Sequence, residues 1–331
     1  MTPIPVNIIK QIATEISPHL STLYNKIIET GVYPSGWKVA KVTPIFKKGS
    51  KKSIKNYRPI SVLPVFSKVF ETFIYDSLFN EVRFFIPESQ QRFLRKKSTI
   101  TNLVEYTHLI SQNFHSKVQT DSVYIDFVKA FDRVPHLKLI QKLCTMGVNS
   151  NLLFLLQNYL RDRTQVVEVD GERSGAVSVT SGVIQGSILG PLLFSAYIWD
   201  LPQSLDHANC SLYADDAKIF MKVHNITDCL LLQRDLTSLI EWCRVWDMEV
   251  NLEKCQSITF TNKPKPVQFY YHLGNYELER VSEISDLGVT LSSDLSFDAH
   301  IERVCKKASK MLVLSGGHVA SFHLTSFGTS L

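Results

Sequence analysis

The sequence predicts an α+β fold. Stretches with near-helical apolar spacing and short runs of β-forming residues follow one another without strict alternation. No internal repeat or low-complexity linker interrupts them. The chain has 331 residues, 44% of them hydrophobic and 20% charged, which is globular composition. At about 100–200 residues per domain, that length gives roughly two domains or subdomains. A disordered tail, a collagen-like repeat and a simple coiled coil are excluded.

The elements follow in order. Ile8, Ile9, Ile12, Ile16, Leu20, Leu23 and Ile27 recur at helical spacing until Gly31 ends the pattern. The β-rich run 39–46, a polar turn and the run 57–64 predict a hairpin. A helix is expected over about 66–81, and Ser98 is placed to cap another with Leu103, Tyr106 and Ile110 inward. Residues 122–127 read as a strand, followed by helices near 137–146 and 151–160. Asp170–Gly171 is a hairpin signal. Residues 188–197 suit a helix, 211–220 a strand, turn and strand, and 227–246 a helix. Short strands run to about Leu291, and a basic helix covers about 299–312. The last stretch has no clear period.

Several classes drop out early. The longest apolar candidate, residues 188–199, is broken by Gly190–Pro191 and falls well short of the roughly 20 residues of a membrane span. The N-terminus shows no basic region leading into an apolar core, so no secretory signal is visible. The six cysteines are scattered without a C-x-x-C pair, which fits a reducing compartment better than a disulfide framework or zinc site. An intracellular protein, nuclear or cytoplasmic and without a membrane partner, is the expectation.

Net charge is +5, and its distribution says more. Lys38, Lys41, Lys47, Lys48, Lys51, Lys52, Lys55 and Arg58 occupy one stretch without an acid. Arg92, Arg95, Lys96 and Lys97 form a second cluster. The rest of the chain is therefore net acidic. A solvated basic face and a polyanion-binding surface both fit this pattern.

Two places carry acids among strand residues. Asp215 and Asp216 sit together in Tyr213-Ala214-Asp215-Asp216, flanked by apolar positions. Burying two neighbouring carboxylates is costly unless a cation neutralises them or a solvated turn exposes them. Asp126 ends the run Val123-Tyr124-Ile125, where an acid costs more than in a loop. A helix N-cap is the competing account of Asp126. A strand-end acid and a hairpin acid pair would suit Mg²⁺, which takes one or two carboxylates and completes its shell with substrate phosphates. A third segment, Gly182-Val183-Ile184-Gln185-Gly186-Ser187, has glycines where backbone approaches a ligand closely, with Ser187 placed to cap the next helix. An ordinary strand-to-helix turn would also explain it.

Taken together and in order, these segments resemble the reverse transcriptases of non-LTR retrotransposons, LINE-type and jockey-like. The resemblance rests on Tyr124-x-Asp126 with Ala130-Phe131-Asp132, the Gln185-Gly186-Ser187 loop running on to Leu189-Gly190-Pro191, and Tyr213-Ala214-Asp215-Asp216. Trp37-Lys38, Val42 to Gly49 and Asn56-Tyr57-Arg58-Pro59 resemble the family's fingers segment, Asn251 and Lys254 the motif after the acid pair, and Asp286-Leu287-Gly288 its primer grip.

The resemblance implies a right-hand polymerase fold with fingers, palm and a truncated thumb. Its implied organisation is a helical segment at 1–30, fingers and palm at 31–290, and a partial thumb with an atypical tail at 291–331. The implied activity is an RNA-directed DNA polymerase that extends a DNA primer on an RNA template with deoxynucleoside triphosphates. Asp126, Asp215 and Asp216 would hold two Mg²⁺ ions, with Mn²⁺ as a substitute. Phe131 matches a steric gate against the ribose 2′-OH. Lys47 and Arg58 match positions facing the triphosphate, Gln185 and Gly186 the loop beneath the incoming nucleotide, and Lys254 a proton donor to pyrophosphate.

The chain also departs from the family. Ile184 stands where the family has Pro, Arg92 where it has Gly, and Trp199 where it has Asn. A left-handed backbone at Arg92 would be strained. No endonuclease motif accompanies the segment, and the thumb is short. A retroelement fragment is the expectation, with a catalytically decayed or repurposed nucleic-acid-binding copy as the alternative.

Overall fold

The computed structural model describes residues 6–92 and 96–314. The chain opens with α1 (Val6–Gln11) and α2 (Ala13–Thr30). Strands β1 (Val39–Phe46) and β2 (Tyr57–Val62) form the expected basic hairpin, and α3 (Val65–Val82) and α4 (Thr99–His115) follow. Then come β3 (Gln119–Ile125), the short α5 (Ala130–Arg133), α6 (His136–Thr145) and α7 (Ser150–Leu160). Next are β4 (Arg163–Val169), β5 (Glu172–Arg173), β6 (Val177–Val179) and α8 (Leu189–Tyr197). Strands β7 (Asn209–Tyr213) and β8 (Asp216–Val223) precede α9 (Ile226–Val245) and β9 (Gln256–Phe260). Last are β10 (His272–Leu273), β11 (Tyr276–Glu277), β12 (Glu279–Val281), β13 (Glu283–Asp286), β14 (Val289–Ser292) and α10 (Asp298–Leu314).

The central sheet has the order β12-β9-β3-β8-β7. Its middle strand, β3, runs antiparallel to both neighbours, with Ile125 opposite Ala217 and Val123 opposite Ser257. Alternation along β8 sends Ile219 into the larger apolar core and Phe220 into a smaller one with Tyr106, Ile110, Ile258 and Phe260. Both faces of this sheet are therefore covered. The larger core also takes Leu139 and Leu143 of α6, Leu155 and Leu156 of α7 and Leu193 of α8.

A second sheet has the order β2-β1-β4-β5, with β6 also on β4. The turn at Asp170–Gly171 has φ of 50° and 87°, as a two-residue primed hairpin requires. The same strand, β4, pairs in parallel with β1 from Val39 to Val42. Local turn signals cannot reveal that pairing, because the partners are more than 120 residues apart in sequence. Helix limits lie within a residue or two of the expected ones with two exceptions: the single first helix expected is two, α1 and α2, divided at Ile12, and the sequence pattern missed α5.

Three expectations change. Asp126 is no N-cap, since α5 begins at Ala130 after Lys129, whose φ is 48°. Arg92 is absent from the described residues with positive φ, so its replacement of Gly carries no left-handed strain. Two of the eight basic residues in the hairpin region do not face solvent freely: Lys38 is buried, and Lys41 pairs with Glu168 at 2.9 Å. Residues 315–331, which hold the expected atypical tail, and Arg95 of the second basic cluster lie outside the described residues.

Candidate active site

Asp126, Asp215 and Asp216 stand at one end of the central sheet. Asp126 follows β3 directly, Asp215 lies in the two-residue turn between β7 and β8, and Asp216 begins β8. Tyr213 pairs with Asp216 across that turn, and Ala214 takes φ of 57°. Asp126 is fixed through its backbone: its carbonyl accepts from Asn251 N–H at 2.7 Å, and its N–H donates to Cys255 Sγ at 3.4 Å. That pairing carries the turn Leu252–Lys254 past the carboxylate, and Lys254 Nζ lies 3.2 Å from Asp126 Oδ2. Both side chains are substantially exposed, so the pair itself stabilises little.

Electrostatics distinguish Asp216. Loss of surrounding water, then the charges of Asp215, Asp286 and Asp126, push its carboxyl up to about 6, with Arg92 pulling the other way. Negative charge is thus in excess here, and the hard oxygen donors suit a divalent cation. The three carboxylates are not drawn into a tight cage. Among the described residues, the group of three potential ligands whose donor atoms all lie within 4.8 Å of one another is Asp206, His207 and Asp235. That group is a loop fastening, in which Asp235 accepts the backbone N–H groups of Asp206, His207 and Ala208 at 3.1, 2.8 and 2.6 Å.

A second set of residues is built around the Gln185 loop. Gly182 N–H donates to Val134 O at 2.8 Å and Val183 N–H to Phe131 O at 2.7 Å, tying the loop to α5. Gln185 Nε2 donates to Asp132 Oδ1 at 2.7 Å. Burial raises the Asp132 carboxyl above its ordinary value, and the Gln185 amide opposes that. Asp132 thus holds this side chain. On the far side, Ser61 N–H of β2 donates to Gln185 O at 2.8 Å. Gly186 takes φ of 106°, and a Cβ there would come within 2.5 Å of Ser61 O. No other residue fits so close a backbone approach. Phe131 stacks on Phe194, with centroids 4.3 Å apart and planes 16° apart.

The loop leads into α8, whose start is capped twice. Ser187 Oγ accepts from Gly190 N–H at 2.8 Å, as expected. Glu71 of α3 reaches in from outside: its Oε2 accepts from Ile188 N–H at 2.7 Å and Leu189 N–H at 3.4 Å, and its Oε1 from Tyr159 OH at 3.0 Å. Glu71 is fully buried. Burial raises its carboxyl above the ordinary value, while those hydrogen bonds favour the ionised form.

Lys47 and Arg58 lie on the basic hairpin. Lys47 N–H closes it onto Asn56 O at 2.8 Å, and Tyr57 OH donates to Lys51 O at 2.9 Å. The turn is thus ordered by uncharged groups, leaving Lys47, Lys48, Lys51, Lys52, Lys55 and Arg58 exposed. Among the described residues no ion pair joins Lys47 or Arg58 to the three carboxylates. Ser61, on the same strand as Arg58, makes the link to the Gln185 loop.

Sequence reasoning missed Glu71 and Gln90. The first left a trace, because Ser67, Phe70, Glu71, Ile74 and Leu78 form the buried stripe of α3, and an acid on such a stripe needs partners. The second left no comparable trace, because Ala214, whose peptide groups it holds, lies more than 120 residues away.

A strand-end acid beside an acid-bearing hairpin turn, with a capped Gly-containing loop alongside, fits a right-hand polymerase fold. Residues 46–291 match the reverse transcriptase (RNA-dependent DNA polymerase) family, and the chain belongs to that family. Its relatives are polymerases of non-LTR retrotransposons. It is 33% identical over 302 residues to the probable RNA-directed DNA polymerase from transposon BS of Drosophila melanogaster, covering 87% of this chain and 33% of that protein. It is 29% identical over 296 residues to the RNA-directed DNA polymerase from mobile element jockey of the same species, covering 86% and 32%. The chain thus spans about a third of the length of these relatives. Among solved structures it is similar to apo telomerase from Candida tropicalis truncated from its C-terminal domain, with TM-score 0.51 and 12% identity over 85% of this chain and 59% of that one. Telomerase from Candida albicans in complex with a fragment of telomeric RNA gives 0.52 and 13% over 83% and 48%. That likeness shows the fold. Among the described residues no helix is long and apolar enough to cross a membrane.

Proposed function

We propose that this chain is the polymerising segment of a non-LTR retroelement protein, extending a DNA primer on an RNA template with deoxynucleoside triphosphates. The observation that carries this reading is the placement of Asp126, Asp215 and Asp216 at one end of the central sheet. On this reading residues 31–290 are fingers and palm, and residues from 291 belong to the thumb.

Asp126, Asp215 and Asp216 would hold two Mg²⁺ ions, with Mn²⁺ able to substitute. Bound there, the ions supply charge neutralisation for the attacking and leaving oxygens of an in-line displacement. The protein's own groups position the substrates. Phe131, backed by Phe194, excludes a ribose 2′-OH. Gln185 and Gly186 form the floor beneath the nucleotide, with Asp132 fixing the amide and Glu71 the start of the next helix. Lys47 and Arg58 face the triphosphate, and the turn from Lys48 to Lys55 meets template phosphates. Lys254 carries a proton at Nζ beside the reacting centre, available to the departing pyrophosphate.

Primer extension tests this. The assay uses an RNA template with an annealed DNA primer, Mg²⁺ and deoxynucleotides, beside Asp215→Ala/Asp216→Ala. Extension that vanishes in the variant and with chelator supports the polymerase. A folded chain that binds primer–template without extending it supports a decayed nucleic-acid-binding copy instead.

A further inference from the structure

The turn carrying Asp215 is strained, and the source of its support lies elsewhere in the chain. Ala214 takes φ of 57°, a left-handed backbone that residues with a Cβ rarely adopt. It sits in a two-residue turn with its side chain fully buried. Its conformation sets the direction in which Asp215 leaves the sheet.

Gln90 grips that residue from both sides. Its Oε1 accepts from Ala214 N–H at 2.9 Å, and its Nε2 donates to Ala214 O at 3.4 Å. The same Oε1 accepts from Arg92 N–H at 3.1 Å. The Gln90 side chain is completely buried. Its own backbone is anchored to β7, the edge strand of the central sheet. Leu212 N–H donates to Ser89 O at 2.8 Å and Gln91 N–H to Leu212 O at 3.0 Å, and Gln90 bridges Leu212 in parallel. The segment before α4 thus covers a free sheet edge and directs one amide onto the strained residue.

The chemistry requires this side chain. A primary amide offers one acceptor and one donor, matching the N–H and C=O of a single residue. A glutamate of the same length would set an acceptor oxygen against that carbonyl oxygen. Asparagine is one methylene too short, and an alkyl side chain would leave both peptide groups buried without partners.

We propose that Gln90 is a positioning residue for polymerisation: it holds Ala214 in the left-handed conformation and thereby aims the Asp215 carboxylate at the cation site. This rests on the reading of Asp215 as a metal ligand.

The test compares wild type, Gln90→Ala, Gln90→Glu, Ala214→Gly and the double variant Gln90→Ala/Ala214→Gly. Asp215→Ala identifies which part of the signal belongs to the site. Two quantities are read: Mn²⁺ affinity from the electron paramagnetic resonance of the free ion, and kcat against KM in primer extension. Gln90→Ala and Gln90→Glu should each weaken Mn²⁺ binding and lower kcat about tenfold or more, with the KM for nucleotide little changed. The double variant should recover most of both losses, because glycine adopts the left-handed conformation without a clamp. If Gln90 only fills space and covers the sheet edge, Ala214→Gly will add to the loss, and the proposal falls. Equal Mn²⁺ affinity and kcat in Gln90→Ala and wild type also overturn it. Wild type that fails to extend primers, while Mn²⁺ binding shows the loss and the rescue, overturns the polymerase reading and the role in polymerisation, and supports only the aiming of Asp215 at the cation site by Gln90. Absence of Mn²⁺ binding to wild type overturns both.

Discussion

Lys218 and Asp286 form an ion pair of 2.8 Å whose side chains are only 1% and 4% exposed. Lys218 lies two residues after Asp216 and directly opposite Tyr124, which lies two residues before Asp126. Asp286 ends β13, so the pair ties the strands of the candidate site to the β13–β14 hairpin. Lys218 Nζ also donates to Asn102 Oδ1 at 2.7 Å, and Tyr124 OH donates to Asp286 Oδ2 at 3.3 Å. Burial pushes the Lys218 ammonium down, and Asp286 opposes that shift. Removing one partner strands the other charge in the core. Lys218→Met and Asp286→Leu should each cost about 3–5 kcal/mol in urea unfolding, and the double variant should cost less than their sum. Simple additivity would show that the two do not act as a pair.

The raised carboxyl of Asp216 makes stability depend on pH. Its value in the folded protein, about 6, exceeds the ordinary 3.8, so the folded state binds that proton more tightly than the unfolded state. Without a cation, this group's contribution is fully present below the ordinary aspartate value and is lost as pH rises through about 6. Asp216→Asn should therefore raise the melting midpoint at neutral pH. The advantage should vanish in acid, and Mg²⁺ or Mn²⁺ should shrink it. A variant no more stable than wild type at neutral pH would contradict this sign.

Phe131 stacks on Phe194, which backs it from one face. Phe131→Ala should reduce the preference for deoxy- over ribonucleotides by about tenfold or more, measured as the ratio of kcat/KM values. Loss of the aromatic pair should also destabilise the fold by at least about 0.5–1.5 kcal/mol. An unchanged ratio would remove Phe131 from the gate position.

Glu71→Gln keeps the side chain's size and removes its charge. The two N–H groups at the start of α8 would then face a neutral acceptor. A loss of about 1–3 kcal/mol in denaturant unfolding is expected. The KM for nucleotide should rise more than kcat falls, because the Gln185 loop is what loses support. A variant as stable as wild type would mean that the cap carries no net energy.

The six exposed cations of the β1–β2 hairpin predict salt-sensitive binding. Lys48, Lys51, Lys52 and Lys55 are the four that meet the template on this reading, and if each neutralises one phosphate, primer–template affinity should fall roughly 10²-fold between 50 and 200 mM salt. Replacing Lys48, Lys51 and Lys52 by Gln should lower the slope of log K against log salt by about 2–3. A flat profile would place the nucleic acid elsewhere.

Much of the fold was legible in the sequence because its signals are local. Apolar periodicity located α3, α7, α8 and α9 to within a residue or two. The Asp170–Gly171 turn was readable from the residues that tolerate positive φ. Ser98 and Ser187 were readable as caps because a hydroxyl accepting the first free N–H groups needs only residues three positions on. The candidate site residues were legible as a set because their order and spacing resemble one family closely.

What sequence alone determined is therefore the list of acids, the loop, the basic hairpin and the family they resemble. Tertiary structure decided how they are held. Gln90 reaches Ala214 and Glu71 reaches Ile188 across more than 110 residues. Asp132 meets Gln185 across 53 residues, and Lys41 turned from a candidate phosphate contact into the partner of Glu168. Local pattern reports which groups a segment can satisfy within a few residues. A buried amide or carboxylate facing a distant backbone acquires its partner only when the chain packs, because only then does water stop competing for it.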